Sequence, residues 1–303
     1  MRISLFGFLG DGDGASPVDG YVERLRVARD EGFTRVWSPQ MPQDPDLLVT
    51  LAVALREVEG VEVGTGVLPI QRQHPMALAQ QALTVSLLSG GRLRLGLGLS
   101  HRPVVERVWG LPFDMPVRRM GEYLDALLPL LHGDPVDASG QTVSAHGRLA
   151  IPGAPVPPVY LAALGPQMLR LAGRRAAGTI TWMTGPRTLT EHVVPTLRGA
   201  AVEAGRSVEV VSALPVCVTD DTAAARELAA RQFAIYGKLP SYRAMLDREG
   251  WPGPQDAALV GDEATVSARL EEMAAAGADE FVAIPFGSGD DQARSRALLR
   301  ARP

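Results

Sequence analysis

Short runs rich in leucine and β-branched residues alternate along the chain with longer stretches in which apolar residues recur at helical spacing. This is the pattern of βα units that feed a parallel sheet. Strands are predicted over residues 2–8, 33–37, 61–68 and 93–99, and their ends recur at intervals of about 30 residues, an ordinary βα repeat. Helices are predicted over 18–31, where Tyr21, Leu25 and Ala28 share one face, and over 45–58, 75–88 and 116–131. Residues 133–158 are rich in Gly and Pro and alternate, which predicts a small hairpin inserted after the fourth helix. The βα pattern then resumes, with strands over 159–163, 179–183, 208–218 and 280–285 and helices over 166–176, 189–204, 222–236, 241–248, 263–276 and 292–301.

Eight strands with intervening helices in 303 residues fit an α/β fold of the (β/α)8 TIM-barrel type, a single domain over 1–303 with its insertion at 133–158. The competing arrangement is a doubly wound dinucleotide-binding domain followed by a helical one, divided within that insertion. A barrel places chemistry on the loops that follow the strands, and that rule selects the motifs worth weighing.

Composition removes whole classes of function. Hydrophobic residues are 46% and charged residues 21%, so the chain is globular and not disordered. A net charge of -4 without blocks of like charge gives no footprint for nucleic acid. Cys217 is the sole cysteine, which excludes an internal disulfide and a cysteine-built zinc or iron–sulfur site and fits a reducing cytoplasm. No apolar run reaches the roughly 18 residues of a membrane span, and the N-terminal stretch meets Asp11 before a signal-peptide core develops. Lys238 is the one lysine, so a Schiff base elsewhere is excluded. No His, Asp and Glu cluster has metal-ligand spacing, and no Gly-x-Ser-x-Gly elbow is present.

The glycines invite a dinucleotide reading that their spacing rejects. Gly7, Gly10, Gly12 and Gly14 do not make Gly-x-Gly-x-x-Gly, and Asp11 and Asp13 would repel a pyrophosphate. In the pair Gly96 and Gly98, His101 stands where the third glycine belongs. Gly64 and Gly66 inside a strand instead predict a bulge or a close approach to the backbone.

The block from Gly64 to Ala82, Gly90 to Gly110 with Leu-Ser-His-Arg-Pro-Val-Val-Glu, Trp37 to Met41, Met120 to Leu131, and Ala172 to Arg187 with Thr-Ile-Thr-Trp-Met-Thr-Gly-Pro-Arg resemble the bacterial-luciferase-like superfamily. These are flavin- and deazaflavin-dependent barrel enzymes, and the likeness is to the branch that uses coenzyme F420. The resemblance runs over nearly the whole chain. It implies an F420-dependent oxidoreductase that moves a hydride between the deazaflavin C5 and a small organic substrate, in either direction. The alternatives are an FMN-dependent monooxygenase and a member that binds deazaflavin or flavin without catalysis. It also implies a non-prolyl cis peptide at Gly66-Val67 behind the ring, with Thr65, Gly98 and Ser100 beside it. The cofactor phosphate is expected at Gly165, Pro166, Gln167 and Met168, where a helix N-terminus attracts anions, and the cofactor tail at Trp182 and Thr184. The acid/base Asp-His pair of several relatives is absent, since the positions after strand two read Ser38-Pro39-Gln40. Gln40 can hydrogen-bond a ring or substrate carbonyl but takes up no proton, so His101 becomes the candidate proton carrier as well as a cofactor contact. His74 reads first as a helix cap. Asp11, Asp13, Met41, Arg102, Tyr236 and Lys238 are candidate pocket residues, and the resemblance implies a homodimer.

Overall fold

A computed structural model describes residues 1–10 and 16–302. Asp11 and Asp13 lie outside the described residues. Eight parallel strands follow one another: β1 (Arg2–Phe6), β2 (Arg35–Ser38), β3 (Glu62–Thr65), β4 (Leu93–Gly98), β5 (Val159–Ala162), β6 (Gly178–Trp182), β7 (Glu209–Val218) and β8 (Glu280–Pro285). Each pairs with the next, β8 pairs with β1, and so the order closes into the barrel that the alternation predicts. Between them run α1 (Pro17–Asp30), α2 (Leu47–Glu57), α3 (Pro75–Ser89), α4 (Pro116–His132), α5 (Pro166–Arg175), α6 (Val194–Glu203), α7 (Thr222–Gln232), α8 (Pro240–Glu249), α9 (Glu263–Ala275) and α10 (Gly289–Arg300).

Local sequence explains the punctuation. Pro opens α3, α4, α5 and α8, where its missing N–H costs nothing. Asp46, Asp221 and Asp262 accept the first free N–H groups of α2, α7 and α9. Gly90 and Gly133 close α3 and α4 at φ of 64° and 76°, a conformation that a Cβ disfavours.

The chain divides into two compact units, one of Gly7–Asp30 and Thr34–Ala162, the other of Met1–Phe6, Glu31–Phe33 and Ala163–Pro303. In the first, strands β2 to β5 pair in register, with Trp37 beside Gly64 and Leu95 beside Val159. At the start of these strands Arg35, almost wholly buried, and Arg94 share the Glu62 carboxylate at 2.6 and 3.0 Å. Burial alone would raise Glu62, but hydrogen bonds and charge from Arg94 and Arg35 reverse this and hold its carboxyl below the ordinary range. The 133–158 insertion contains an antiparallel hairpin of Val136–Ser139 and Ser144–Gly147. Glu122 of α4 binds it, accepting from Thr142 Oγ1 and N at 2.6 Å and from Gln141 N and Val143 N at 3.1 Å. In the second unit β1, β8, β7 and β6 lie side by side, with Ile3 opposite Phe281 and Val211 opposite Ile180. Here α5 and α6 pack closely because Gly173 lets the Leu197 carbonyl approach to 2.3 Å of where a Cβ would stand.

Two expectations are corrected and one strand is added. The third strand is not continuous over 61–68: it stops at Thr65 and resumes as the two-residue strand Leu68–Pro69 beside Leu97 and Gly98. The helix expected over 222–236 ends at Gln232, and a 3-10 turn, Ala234–Lys238, follows. A further short strand, Leu259–Gly261, pairs with β7, where three apolar residues were too few to read.

Candidate functional site

In the first unit the ends of β3 and β4 gather most of the expected residues. The peptide between Gly66 and Val67 is cis. Gly66 N donates to Ser38 O at 2.7 Å, and Gln40 N to Val67 O at 3.4 Å, so the break in β3 is held by the end of β2. Thr65 is buried, and its Oγ1 both donates to Gly96 O at 2.7 Å and accepts from Gly96 N at 2.8 Å. That hydroxyl is therefore committed to tying β3 to β4 and supports the site from behind. Glycine is required at two positions for space. A Cβ on Gly64 would lie 2.3 Å from the Trp37 ring, and one on Gly98 2.4 Å from Val67 Cγ2.

Just past β4, Ser100 holds a left-handed φ of 57°, uncommon for a residue with a Cβ. His101 follows, partly buried, its carbonyl taking the N–H groups of Val104 and Val105. Burial pushes the imidazole below its ordinary value, which leaves the ring neutral at pH 7. The segment beyond it is pinned by Arg102, which pairs with Glu106 and stands 5.1 Å over the Phe113 ring. Arg72 stands 5.5 Å over Trp109 in the same way. Gln71, which sequence reasoning missed, donates from Nε2 to Leu99 O at 2.6 Å. A single glutamine in a polar run carries no signal of that placement.

Gln40 is placed at this face, but its amide is taken. Oε1 accepts from Leu47 N at 2.7 Å, and Nε2 donates to Met41 O at 2.9 Å and Pro45 O at 3.2 Å. It fixes the loop into α2. His74 caps α3, with Nδ1 accepting from Met76 N at 3.2 Å and Nε2 donating to Ser144 O of the hairpin at 2.9 Å.

In the second unit two helix starts follow β5 and β6, and they differ. At α5, Gly165 stands at the N-cap without a side-chain cap, the first turn holds no acidic residue, and Gly165, Pro166 and Gln167 are exposed while Met168 packs inward. Its free N–H groups and dipole are open to an anion. His192 steadies the approach by donating from Nε2 to Leu164 O at 2.8 Å. The other start, at Pro186–Thr188, is already served: Glu249 accepts from Thr188 N at 2.5 Å. Gly185 there lies against Trp251, which a Cβ would meet at 2.3 Å.

Trp182 ends β6, and buried Thr184 turns its hydroxyl back to the Trp182 carbonyl at 3.2 Å. Between them Met183 has a left-handed φ of 55°. The indole meets Tyr236 at 5.4 Å and Phe233 at 6.0 Å between ring centroids, both edge to face. Phe233 and Phe286, after β8, are 5.7 Å apart, and Tyr236 and Tyr242 5.3 Å. Among the described residues no group of three or more His, Cys, Asp or Glu could hold a metal ion, and no helix is long and apolar enough to cross a membrane.

Comparison with known proteins agrees with this architecture. The family model of the luciferase-like monooxygenases matches residues 1–297, and the chain belongs to that family. It is 33% identical over 239 residues to a Mycobacterium tuberculosis protein of uncharacterised function, covering 73% of this chain and 69% of that one. It is 30% identical over 234 residues, 70% of this chain and 66% of the other, to a protein of the same organism provisionally named a coenzyme F420-dependent oxidoreductase. The coenzyme F420-dependent tetrahydromethanopterin reductase of Methanopyrus kandleri superposes with a TM-score of 0.82 at 22% identity, covering 99% of this chain and 97% of its own, and so shares the fold. The protein is thus a luciferase-like oxidoreductase.

Proposed function

We propose that the protein binds coenzyme F420 and transfers a hydride between the deazaflavin and a small organic substrate, either reducing an activated C=C or C=N bond or oxidising an alcohol. The observation that carries this reading is the open N-terminus of α5. It is uncapped and free of acidic residues, while the next helix start in the same unit is filled by Glu249. An anionic phosphate suits the first and finds the second taken. The relative named for coenzyme F420 at 30% identity supports the choice of carrier.

When bound, F420 supplies a hydride at a ring carbon that reacts poorly with oxygen. The backbone N–H groups of Gln167 and Met168 would hold its phosphate, Pro166 having none to offer. The ends of β3 and β4, with Val67, Gly98 and Ser100, would support the ring. His101 is the proton carrier of the set. As a neutral imidazole it accepts a proton from an alcohol as hydride leaves, and once protonated it returns one to the reduced product. Gln40, its amide spent on backbone, contributes by keeping the loop before α2 in place.

Titrating the purified protein with oxidised F420 and, in parallel, with FMN, and following the quenching of cofactor fluorescence, tests the proposal. Tighter binding of F420 is expected. A preference for FMN would overturn it in favour of an FMN monooxygenase, and binding of neither would remove both.

A further inference from the structure

β4 leaves the sheet just before His101. Its last paired positions are Leu97, beside Leu161 and Leu68, and Gly98, beside Pro69, so Leu99 and Ser100 run past both ladders. The 3-10 turn Ile70–Arg72 reaches them instead. Ile70 is buried and anchors the turn, Gln71 Nε2 donates to Leu99 O at 2.6 Å, and Arg72 stands 5.5 Å over Trp109. One short turn thus grips the chain both before and after His101, whose own carbonyl takes Val104 N and Val105 N at 2.9 and 3.0 Å.

The bond to Leu99 fixes more than an oxygen. That carbonyl belongs to the peptide plane joining Leu99 to Ser100, and turning the plane changes ψ of Leu99 and φ of Ser100 together. Ser100 stands at a φ of 57°, where a Cβ is disfavoured, and a residue stays there only while its surroundings enforce it. Released, the plane would turn, Ser100 would relax to negative φ, and the side chain that follows, His101, would point elsewhere. Stability does not account for the amide. Gln71 Oε1 is buried and meets no donor among the described residues, and an unmatched buried acceptor costs about as much as the bond on Nε2 contributes. An apolar side chain of the same length would fill the space without that cost.

We infer that Gln71 is a positioning residue: by holding the Leu99 carbonyl it keeps Ser100 left-handed and so sets the direction of the His101 imidazole. The inference rests on the reading of His101 as proton carrier. It concerns where the ring stands, which can be measured without turnover.

Gln71→Met keeps the length of the side chain and removes its donor. Diethyl pyrocarbonate, applied at pH 7 without cofactor, marks imidazoles as they become accessible, and peptide masses assign each site. His101 should be modified about fivefold faster in the variant than in the wild type, the scale of one lost hydrogen bond. His192, buried in the second unit with its Nε2 on Leu164 O at 2.8 Å, should keep its rate. No change at His101, or a rise shared with His192 as general loosening would give, overturns the assignment. A wild-type measurement decides even if the variant fails to fold. By NMR, one side-chain N–H proton of Gln71 should exchange with solvent about tenfold more slowly than those of exposed Gln80. Exchange as fast as at Gln80 overturns the assignment as well. Neither experiment contains F420, so failure here is distinguishable from failure of the cofactor titration.

Discussion

The two units solve the same problem, a functional face at the ends of parallel strands, with different materials. In the first, the face is shaped by backbone and held by polar commitments: Thr65 bonds twice to Gly96, Gln40 clips its own loop, and the strand starts share one carboxylate between two arginines. In the second, rings meeting edge to face gather around Trp182 past β6 and β8, and the start of α5 stands without a side-chain cap. The contrast is one of material, backbone and polar ties against ring packing, and not one of spent against unspent groups: buried polar atoms without a partner occur in both units, Gln71 Oε1 and Tyr123 OH in the first and Thr188 Oγ1 in the second.

The comparison can be broken at its charged end first. Glu62→Ala removes the carboxylate shared by Arg35 and Arg94 and should cost about 3 kcal/mol in denaturant unfolding, since two guanidinium groups, one of them buried, lose a shared ionic partner. A cost below about 1 kcal/mol would mean that the first unit does not depend on that network. Because the Glu62 carboxyl is held below its ordinary value, its contribution is complete above that value and is lost as pH falls through the folded one.

His101→Ala should lower turnover about a hundredfold while leaving F420 affinity intact, the usual scale for a proton carrier. In the reducing direction the wild-type rate should fall as pH rises through the depressed imidazole value, because the protonated ring is the donor. Unchanged turnover in the variant would move the proton carrier elsewhere.

A smaller effect should follow at the hairpin. Burial alone would raise Glu122, but hydrogen bonds from Thr142, Gln141 and Val143 bring it down to about 2. Glu122→Gln should cost about 1 to 2 kcal/mol and speed protease cleavage within 133–158. Wild-type protection there should be complete above pH 4.5 and lost as pH falls toward 2. Cleavage independent of pH across that window would remove Glu122 from the role.

The smallest change sharpens the second unit. Gln167→Glu sets a negative charge in the first turn of α5 and should weaken F420 binding about threefold to fivefold, the reach of a helix dipole at an exposed site. Undiminished affinity would place the phosphate elsewhere.

Strands and helices were legible because Pro and Gly punctuate them and because buried parallel strands read as apolar runs. What escaped has physical causes. The interruption after Thr65 depends on bonds from Ser38 and Gln40, which come from another strand, and Leu259–Gly261 is too short to show a period. The residues expected at the ends of β3 and β4 do lie together, but their individual commitments were hidden. Gln40 reads in sequence as a free amide, and only the fold supplies Leu47 N, Met41 O and Pro45 O to occupy it. Tyr236 was a candidate pocket residue, whereas its neighbours Phe233, Tyr242 and Phe286 were not, since no local spacing links positions 233, 242 and 286 to Trp182.

The 3-10 turn that carries Tyr236 ends at Lys238, which is exposed and is the one lysine of the chain. That coincidence makes the protein its own reporter. An amine-reactive fluorophore attached at this ε-amine sits two residues from the phenol, with no cysteine to engineer and no competing lysine to block. Any movement of the turn could then be followed as a change in emission, in real time and without a second label.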